Sequence, residues 1–140
     1  EFHRSDAAAK VAKELSSDPG LARHALAFFG DRTLLFLAAW RGRSRCCKTL
    51  LDAGADPVAV DTFNCSPLMV AAWAGHRRAV VLLLADAHVR ADVRREGSPP
   101  QTSSCGGRGA KTAAAWARRK AEAFGDTNYL QIATAISGAR

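Results

Sequence analysis

The chain has 140 residues, of which 48% are hydrophobic and 24% are charged. This composition is typical of a globular domain with one modest core, and it excludes an intrinsically disordered chain. Twenty Lys and Arg against 13 Asp and Glu give a formal charge of +7, which favours an acidic partner. No apolar run approaches the roughly 18 residues that a membrane-spanning helix needs, so the sequence predicts no transmembrane segment.

Residues 1–30 are predicted to form an N-terminal helical cap made of two helices. Ser5 or Asp6 can cap the first helix, because a short polar side chain satisfies backbone N–H groups that a helix start leaves unpaired. Asp18 followed by Pro19 is a typical start for the second helix.

Residues 31–96 contain two copies of one sequence pattern. The stretch TLLFLAAWRG, which begins at Thr33, aligns with SPLMVAAWAG, which begins at Ser66. The alignment places Trp40 and Trp73 at the same position of the pattern, 33 residues apart. An internal period of this length indicates a repeat architecture.

Each copy is predicted to form two short amphipathic helices, because its apolar residues recur three and four positions apart. Gly42 and Gly75 fall between the two helices of each copy, where a helix end or tight turn needs a left-handed residue. One two-helix unit cannot cover both of its apolar faces, so the copies are expected to stack.

The two copies resemble the ankyrin repeat, whose pattern is approximately T-P-L-H-x-A-A-x-x-G-H, an apolar helix, and L-L-x-x-G-A-D. The matching residues are Thr33, Leu35, Ala38, Ala39, Gly42, Leu50, Leu51, Gly54, Ala55 and Asp56 in the first copy, and Ser66, Pro67, Leu68, Ala71, Ala72, Gly75 and His76 in the second. Phe36 and Met69 replace the first histidine of the pattern, and Ala87 replaces a glycine at the exit of the second copy, where we expect an altered turn. The resemblance implies an all-α ankyrin-repeat solenoid of stacked helix-turn-helix units.

Residues 97–109, GSPPQTSSCGGRG, are predicted to be an inserted surface loop rich in Gly, Pro and Ser. Whether this insert contacts a partner or is a passenger loop stays open. The segment that ends at Thr112, GGRGAKT, is similar to a phosphate-binding loop, but Cys105 and Ala110 occupy positions where that motif needs glycine. We therefore expect no nucleotide hydrolysis, although the glycine-rich backbone, Arg108, Lys111 and a helix N-terminus could together hold an anion or carboxylate.

Residues 110–140 resemble a degenerate C-terminal capping repeat. Thr112 takes the position that begins each of the two earlier copies. The first helix of this unit is predicted to end at Phe124, about one turn later than in the other copies. Gly125 and Asp126 are predicted to separate it from the last helix.

The sequence predicts neither an enzyme nor a metal or cofactor site. Its four cysteines and four histidines lack zinc-ligand spacing, and no motif implies a catalytic pair. Cys46 and Cys47 are predicted to pack in the core, His76 to cap or pack, and Cys65 and Cys105 to be more exposed.

The cysteines are expected to be reduced thiols, which predicts a reducing compartment inside the cell. The chain begins with Glu1 rather than Met, which is consistent with a trimmed chain or with removal of a transit peptide. The cytoplasm, the plastid stroma and the mitochondrial matrix are the compartments that fit this expectation.

The resemblance implies partner binding on the concave face that the first helix of each repeat lines, together with the hairpin tips. Carried over by position, the predicted contacts are Arg32, Trp40, Arg41, Thr62, Phe63, Cys65, Trp73, Ala74, Lys111, Arg119 and Lys120. We favour contact roles for Trp40 and Trp73, because tryptophan and arginine are enriched in binding hot spots. The alternative is that both rings cover the groove by stacking within the protein. Trp116 lies one turn earlier in its helix and is predicted to be core.

These observations predict a non-catalytic protein–protein interaction module that binds an acidic and apolar partner surface through an aromatic and basic concave face. The alternative is a peripheral structural subunit of a larger complex, including a complex on an organellar membrane. A basic C-terminal third makes nucleic-acid binding a third hypothesis, but no recognisable binding motif supports it.

Overall fold

The computed structural model describes residues 32–62, 64–95 and 112–138, the pair 25–26, and positions 13 and 17. This part of the chain contains seven helices and one pair of very short strands. The helices are α1 (Leu34–Trp40), α2 (Ser44–Asp52), α3 (Pro67–Ala74), α4 (Arg77–Leu84), α5 (Ala87–Ala91), α6 (Ala113–Phe124) and α7 (Thr127–Gly138). The strands are β1 (Ala25–Leu26) and β2 (Arg32–Thr33).

The helices form two parallel rows. Helices α1, α3 and α6 contact one another in that order as the inner row, and α2, α4 and α7 form the outer row. Each inner helix also packs against the outer helix that follows it. The predicted all-α solenoid of stacked helix-turn-helix units is confirmed.

A hydroxyl group begins every inner helix. The side chains of Thr33, Ser66 and Thr112 each accept a hydrogen bond from the backbone N–H three residues later, at 3.2–3.3 Å. All three cap residues have extended backbones, the conformation that N-cap residues prefer. The predicted equivalence of these three positions is therefore confirmed.

Glycines with positive φ separate inner from outer helices. The φ angles are +69° at Gly42, +82° at Gly75 and +64° at Gly125, which confirms the predicted left-handed turns. Helix α6 ends at Phe124, as predicted, so the last inner helix is longer than α1 and α3.

The segments that follow the outer helices of the two repeats differ at an aligned position that is Gly54 in the first repeat and Ala87 in the second. In the first repeat, Gly54 adopts φ +92° at the end of α2. In the second repeat, Ala87 begins the extra helix α5, and the Asp86 carboxylate caps that helix by accepting a bond from the His88 N–H at 2.8 Å. Alanine disfavours the left-handed conformation that glycine adopts, so the altered exit is a new short helix.

The sequence predicts a helix that begins at Pro19, but this prediction is wrong at positions 25 and 26, which form a strand. Strand β1 pairs antiparallel with β2, with Ala25 opposite Thr33 and Leu26 opposite Arg32. Thr33 has an extended backbone because it caps α1. An extended backbone can also pair with a neighbouring strand, and β2 does so with β1. Positions 13 and 17 are helical, in agreement with the first helix predicted for residues 1–30. The other predicted features of residues 1–30, and the insert of residues 97–109, lie outside the described residues.

The core is centred on the second repeat. Every side chain from Pro67 to Trp73 in α3 is buried, because this helix contacts α1, α4 and α6. Trp116 is 3% exposed, and Cys46 and Cys47 are also buried, so these three core predictions are confirmed. None of the helices described here has both the length and the apolar character needed to cross a membrane.

Candidate functional site

Trp40 stands at the end of α1 beside a second aromatic ring and a cation. The centroids of Phe36 and Trp40 are 6.2 Å apart in an edge-to-face arrangement. The guanidinium carbon of Arg32 lies 5.3 Å from the Phe36 centroid and 5.1 Å from the Trp40 centroid. Trp40 is half-buried, so part of its ring remains accessible while its orientation is fixed.

Arg32 also has an acidic partner within the chain. Its Nε lies 3.3 Å from Oδ2 of Asp61, whose side chain is fully buried, whereas the Arg32 side chain is 16% exposed. The other carboxylate oxygen of Asp61 accepts a bond from the Cys65 N–H at 2.9 Å. The sequence predicts that Arg32 engages an acid of a partner, but Asp61 already neutralises it.

The hairpin between the first two repeats is closed by its own backbone. The N–H of Asp61 donates to the carbonyl of Cys65 at 3.1 Å, and Asn64 adopts φ +61°. The side-chain oxygen of Asn64 accepts a bond from Arg95 at 3.0 Å, which ties the hairpin to the exit of the second repeat. Thr62, one of the predicted contact residues, is exposed.

Cys65 is buried, and its predicted exposure is wrong. Its side chain is 0% exposed because it directly precedes Ser66, the cap of the buried helix α3. Burial, followed by the nearby carboxylate of Asp61, raises the pKa of the thiol. Cys65 is therefore a core residue that no partner can reach.

Trp73 is covered by the last unit of the stack. The ring is 9% exposed, and the ammonium nitrogen of Lys120 lies 3.9 Å from its centroid. The same nitrogen is 5.4 Å from the centroid of Tyr129 in α7. Lys120 thus joins α3, α6 and α7, and the geometry of Trp73 matches the alternative in which the ring covers the groove within the protein.

The predicted contacts differ in accessibility, and their role in binding stays a prediction. We use the name inner-helix surface for Arg32, Trp40, Thr62, Trp73, Ala74, Arg119 and Lys120. Within it, Thr62 and Arg119 are exposed, Trp40, Ala74 and Lys120 are half-buried, and Trp73 is buried. Phe63 and Lys111 lie outside the described residues.

Arg41 belongs to a different region, a cleft of about 720 Å³ between two consecutive interhelix turns. We use the name basic cleft for the side chains that line it from Arg41–Cys46 and Gly75–Ala79, together with Asn128. Its arginines are Arg41, Arg43, Arg45, Arg77 and Arg78, all exposed. Among the residues that the structure describes, no Asp or Glu lines the cleft, and the ion pairs that they form include none of these arginines.

The basic cleft was not predicted as a site, although the sequence contains a signal for it. Arginines cluster directly after the inner helix in both copies, in RGRSR from Arg41 and in HRR from His76. The 33-residue alignment places Arg45 and Arg78 at the same position. Stacking of the repeats then brings the two clusters together.

Close contacts hold the cleft in shape. A Cβ on Gly42 would lie 2.5 Å from Nδ1 of His76, so the His76 ring packs directly on the turn of the first repeat, as predicted for a packing histidine. On the other side, the Asn128 amide donates to the carbonyl of Gly75 at 2.8 Å. Three successive units therefore contribute to the cleft.

Reactive groups are scarce among the described residues. Burial is the largest cause that raises the pKa of the Cys47 thiol to about 12, so this thiol stays protonated and unreactive at neutral pH. Across the described ranges, no group of three or more His, Cys, Asp or Glu side chains could hold a metal ion.

A family model described as ankyrin repeats, three copies, matches residues 5–96, which is more than half of the chain. The chain belongs to the ankyrin-repeat family. Ankyrin repeats imply a protein–protein interaction module, and modules of this family are typically non-catalytic. The match extends through most of the predicted N-terminal cap.

This ankyrin-repeat protein is also similar to the E3 ubiquitin-protein ligase XB3 of Oryza sativa subsp. japonica. The two sequences are 42% identical over 81 residues, which cover 56% of this chain and 18% of the ligase. The chain thus spans less than a fifth of the length of that relative.

Proposed function

We propose that this ankyrin-repeat protein binds a partner protein through the inner-helix surface, with Trp40 as its principal apolar contact. The observation that carries the proposal is the state of Trp40, which is half-buried and held in one orientation by Phe36 and Arg32. A rigid aromatic side chain loses little conformational entropy when a partner covers it.

The charges of this surface suggest the chemistry of the partner. Asp61 neutralises Arg32, and the ammonium of Lys120 lies over Trp73. Arg119 is exposed, and the described residues include no ion pair for it. The partner would therefore present an apolar pocket for the accessible edge of Trp40 and an acidic group for Arg119.

The test begins with affinity capture by the wild-type chain and identification of the captured protein by mass spectrometry. Calorimetry with that purified partner then compares wild type with Trp40→Ala. We expect the variant to lose about 2 kcal/mol or more of binding free energy. Phe124→Ala is the matched control, because it removes an aromatic side chain that is 59% exposed and lies outside this surface.

Two outcomes would contradict the proposal. One is an unchanged Kd for Trp40→Ala when circular dichroism shows that the variant is folded. The other is an equal loss of affinity in the Phe124→Ala control, because that result would place the partner on the last unit of the stack.

A peripheral subunit of a larger complex, including one on an organellar membrane, is the alternative function. A permanent subunit would migrate with one large assembly on native gels of cell extracts. The isolated chain would then be poorly soluble. A monomeric chain that exchanges partners favours the recognition module.

Similarity to a ubiquitin ligase suggests where such recognition could act. If the chain is part of a longer ligase, the inner-helix surface would select the protein that receives ubiquitin. In a reconstituted reaction with the full-length protein, Trp40→Ala should then reduce ubiquitin transfer to the captured partner without changing self-modification. Equal loss of both reactions would contradict this role.

A further inference from the structure

The basic cleft has a charge pattern that the fold does not use. Five exposed arginines line it, and none of its described lining residues is acidic. Within the described part of the chain, Arg77 donates to the Gln131 side chain, and the ion pairs Arg32–Asp61 and Arg95–Asp92 lie elsewhere. Like charges confined to one concave region raise the local positive potential.

Three of these arginines lie at the positive N-terminal ends of helices, where a cation is unfavourable. Arg43 is the N-cap of α2, and Arg77 and Arg78 begin α4. Neither helix has an acidic residue in its first turn, whereas the positive end of a helix dipole favours acids and disfavours cations. A cluster that costs local stability in this way is expected at functional sites.

The chemistry of the lining selects an anion with paired oxygens. The planar guanidinium group binds a carboxylate through two parallel hydrogen bonds. A cleft of about 720 Å³ has the size of sites that enclose a small ligand or a short peptide segment.

Nucleic acid fits this lining less well. The cleft-lining side chains in the described ranges include no Phe, Tyr or Trp, so these ranges offer bases no aromatic ring on which to stack. An acidic peptide needs only the arginines and a recess, and both are present.

We infer that the basic cleft is a second interaction surface of this protein, which binds a partner segment with closely spaced Asp or Glu carboxylates. The cleft lies at the turns between inner and outer helices and shares no residue with the inner-helix surface. The two surfaces can therefore be tested separately.

The test uses fluorescence anisotropy with the full 140-residue chain and a labelled peptide of alternating Glu and Gly. The decisive variant is Arg43→Glu combined with Arg78→Glu, one substitution in each repeat. Both glutamates would lie at helix N-termini, which favour acidic side chains, so the variant is expected to fold. Circular dichroism and thermal unfolding check that expectation.

The matched control is Arg94→Glu combined with Arg118→Glu. It changes the net charge of the chain by the same amount at two exposed positions outside the cleft. We expect the cleft variant to bind the acidic peptide at least about tenfold more weakly than the control does. Wild-type affinity should fall as the salt concentration rises, and a peptide of Gln and Gly should not bind.

Several results would overturn the inference. One is that the wild-type chain does not bind the acidic peptide. Another is that the cleft variant and the control variant lose the same affinity for the peptide. A third is that wild type binds a dT oligonucleotide or phosphatidylserine vesicles more tightly than the peptide and that the cleft variant abolishes this binding. Trp40→Ala should bind the acidic peptide like wild type. If Trp40→Ala binds both the acidic peptide and the captured partner like wild type, the proposal for the inner-helix surface is rejected and the inference for the basic cleft stands.

Discussion

The two candidate surfaces differ in how their cations are accommodated. On the inner-helix surface, Arg32 is paired with the buried Asp61 at 3.3 Å, and Lys120 lies 3.9 Å from the centre of the Trp73 ring. In the basic cleft, the described residues supply no ion pair for any of the five arginines. The first set of charges holds neighbouring repeats together, whereas the second contributes little to the fold. Removing a charge partner on the inner-helix surface should therefore lower stability, whereas replacing a cleft arginine near a helix start with an acid should raise it.

The largest effect is expected at Trp73. Trp73→Ala should lower the free energy of unfolding by about 3–5 kcal/mol, because the ring is buried and supports Lys120. Denaturant titration of wild type, Trp73→Ala and the half-buried Trp40→Ala measures the difference. If the two variants lose the same free energy of unfolding, Trp73 contributes no more to stability than Trp40 does, which contradicts the structural role assigned to Trp73.

A smaller loss is expected when the internal partner of Arg32 is removed. Asp61→Asn should cost about 2–3 kcal/mol, because it breaks a pair whose acid is fully buried. Asp92→Asn is the control: its pair with Arg95 is more exposed, at 22% and 31%, and should be worth less than about 1 kcal/mol. Equal losses by calorimetry would mean that burial of Asp61 is not what makes its ion pair strong.

The turn beneath the cleft should be sensitive to one added carbon. Gly42→Ala is expected to cost about 1–2 kcal/mol, because φ is +69° and the new Cβ would meet the His76 ring at 2.5 Å. Gly54→Ala has a similarly unfavourable φ of +92°, but its Cβ would meet nothing within 4 Å. Thermal unfolding should therefore show a smaller loss for Gly54→Ala, and the reverse order would exclude close packing of His76 on the turn.

The smallest effect is a gain in stability. Arg78→Glu replaces a cation near the start of α4, for which the described residues supply no ion pair, with an acid, which should add about 0.3–1 kcal/mol. Arg94→Glu, at an exposed position outside the helices, should change stability less. A clear loss of stability in Arg78→Glu would show that the fold does rely on the cleft arginines.

Features that repeat along the chain were predictable. The 33-residue period placed the cap hydroxyls of Thr33 and Ser66, and the apolar phase of the last unit located the end of α6 at Phe124. Each depends on local chemistry, because a cap bond spans three residues and a helix end needs a left-handed residue. Local rules also predicted the core positions of Cys47 and Trp116.

Features that depend on contact between units were not predictable from one sequence. The cover over Trp73 comes from Lys120, 47 positions later in the chain, and its placement requires the distance and angle between α3 and α6. The burial of Cys65 depends on how the hairpin folds back against the start of α3, which position in the repeat alone does not determine. The arginine clusters were visible in the sequence, but only stacking of the turns brings them together.

The hydrogen bond from Asn128 to the carbonyl of Gly75 has a consequence for how the stack opens. In a linear array each unit is stabilised by its immediate neighbours, and the contacts between units can open locally. Asn128 both docks the last unit and lines the basic cleft, so fraying of α7 removes one wall of the cleft. A ligand in the cleft would therefore protect the amide protons of α7 from hydrogen exchange, and slower exchange in α7 would report occupancy of the cleft.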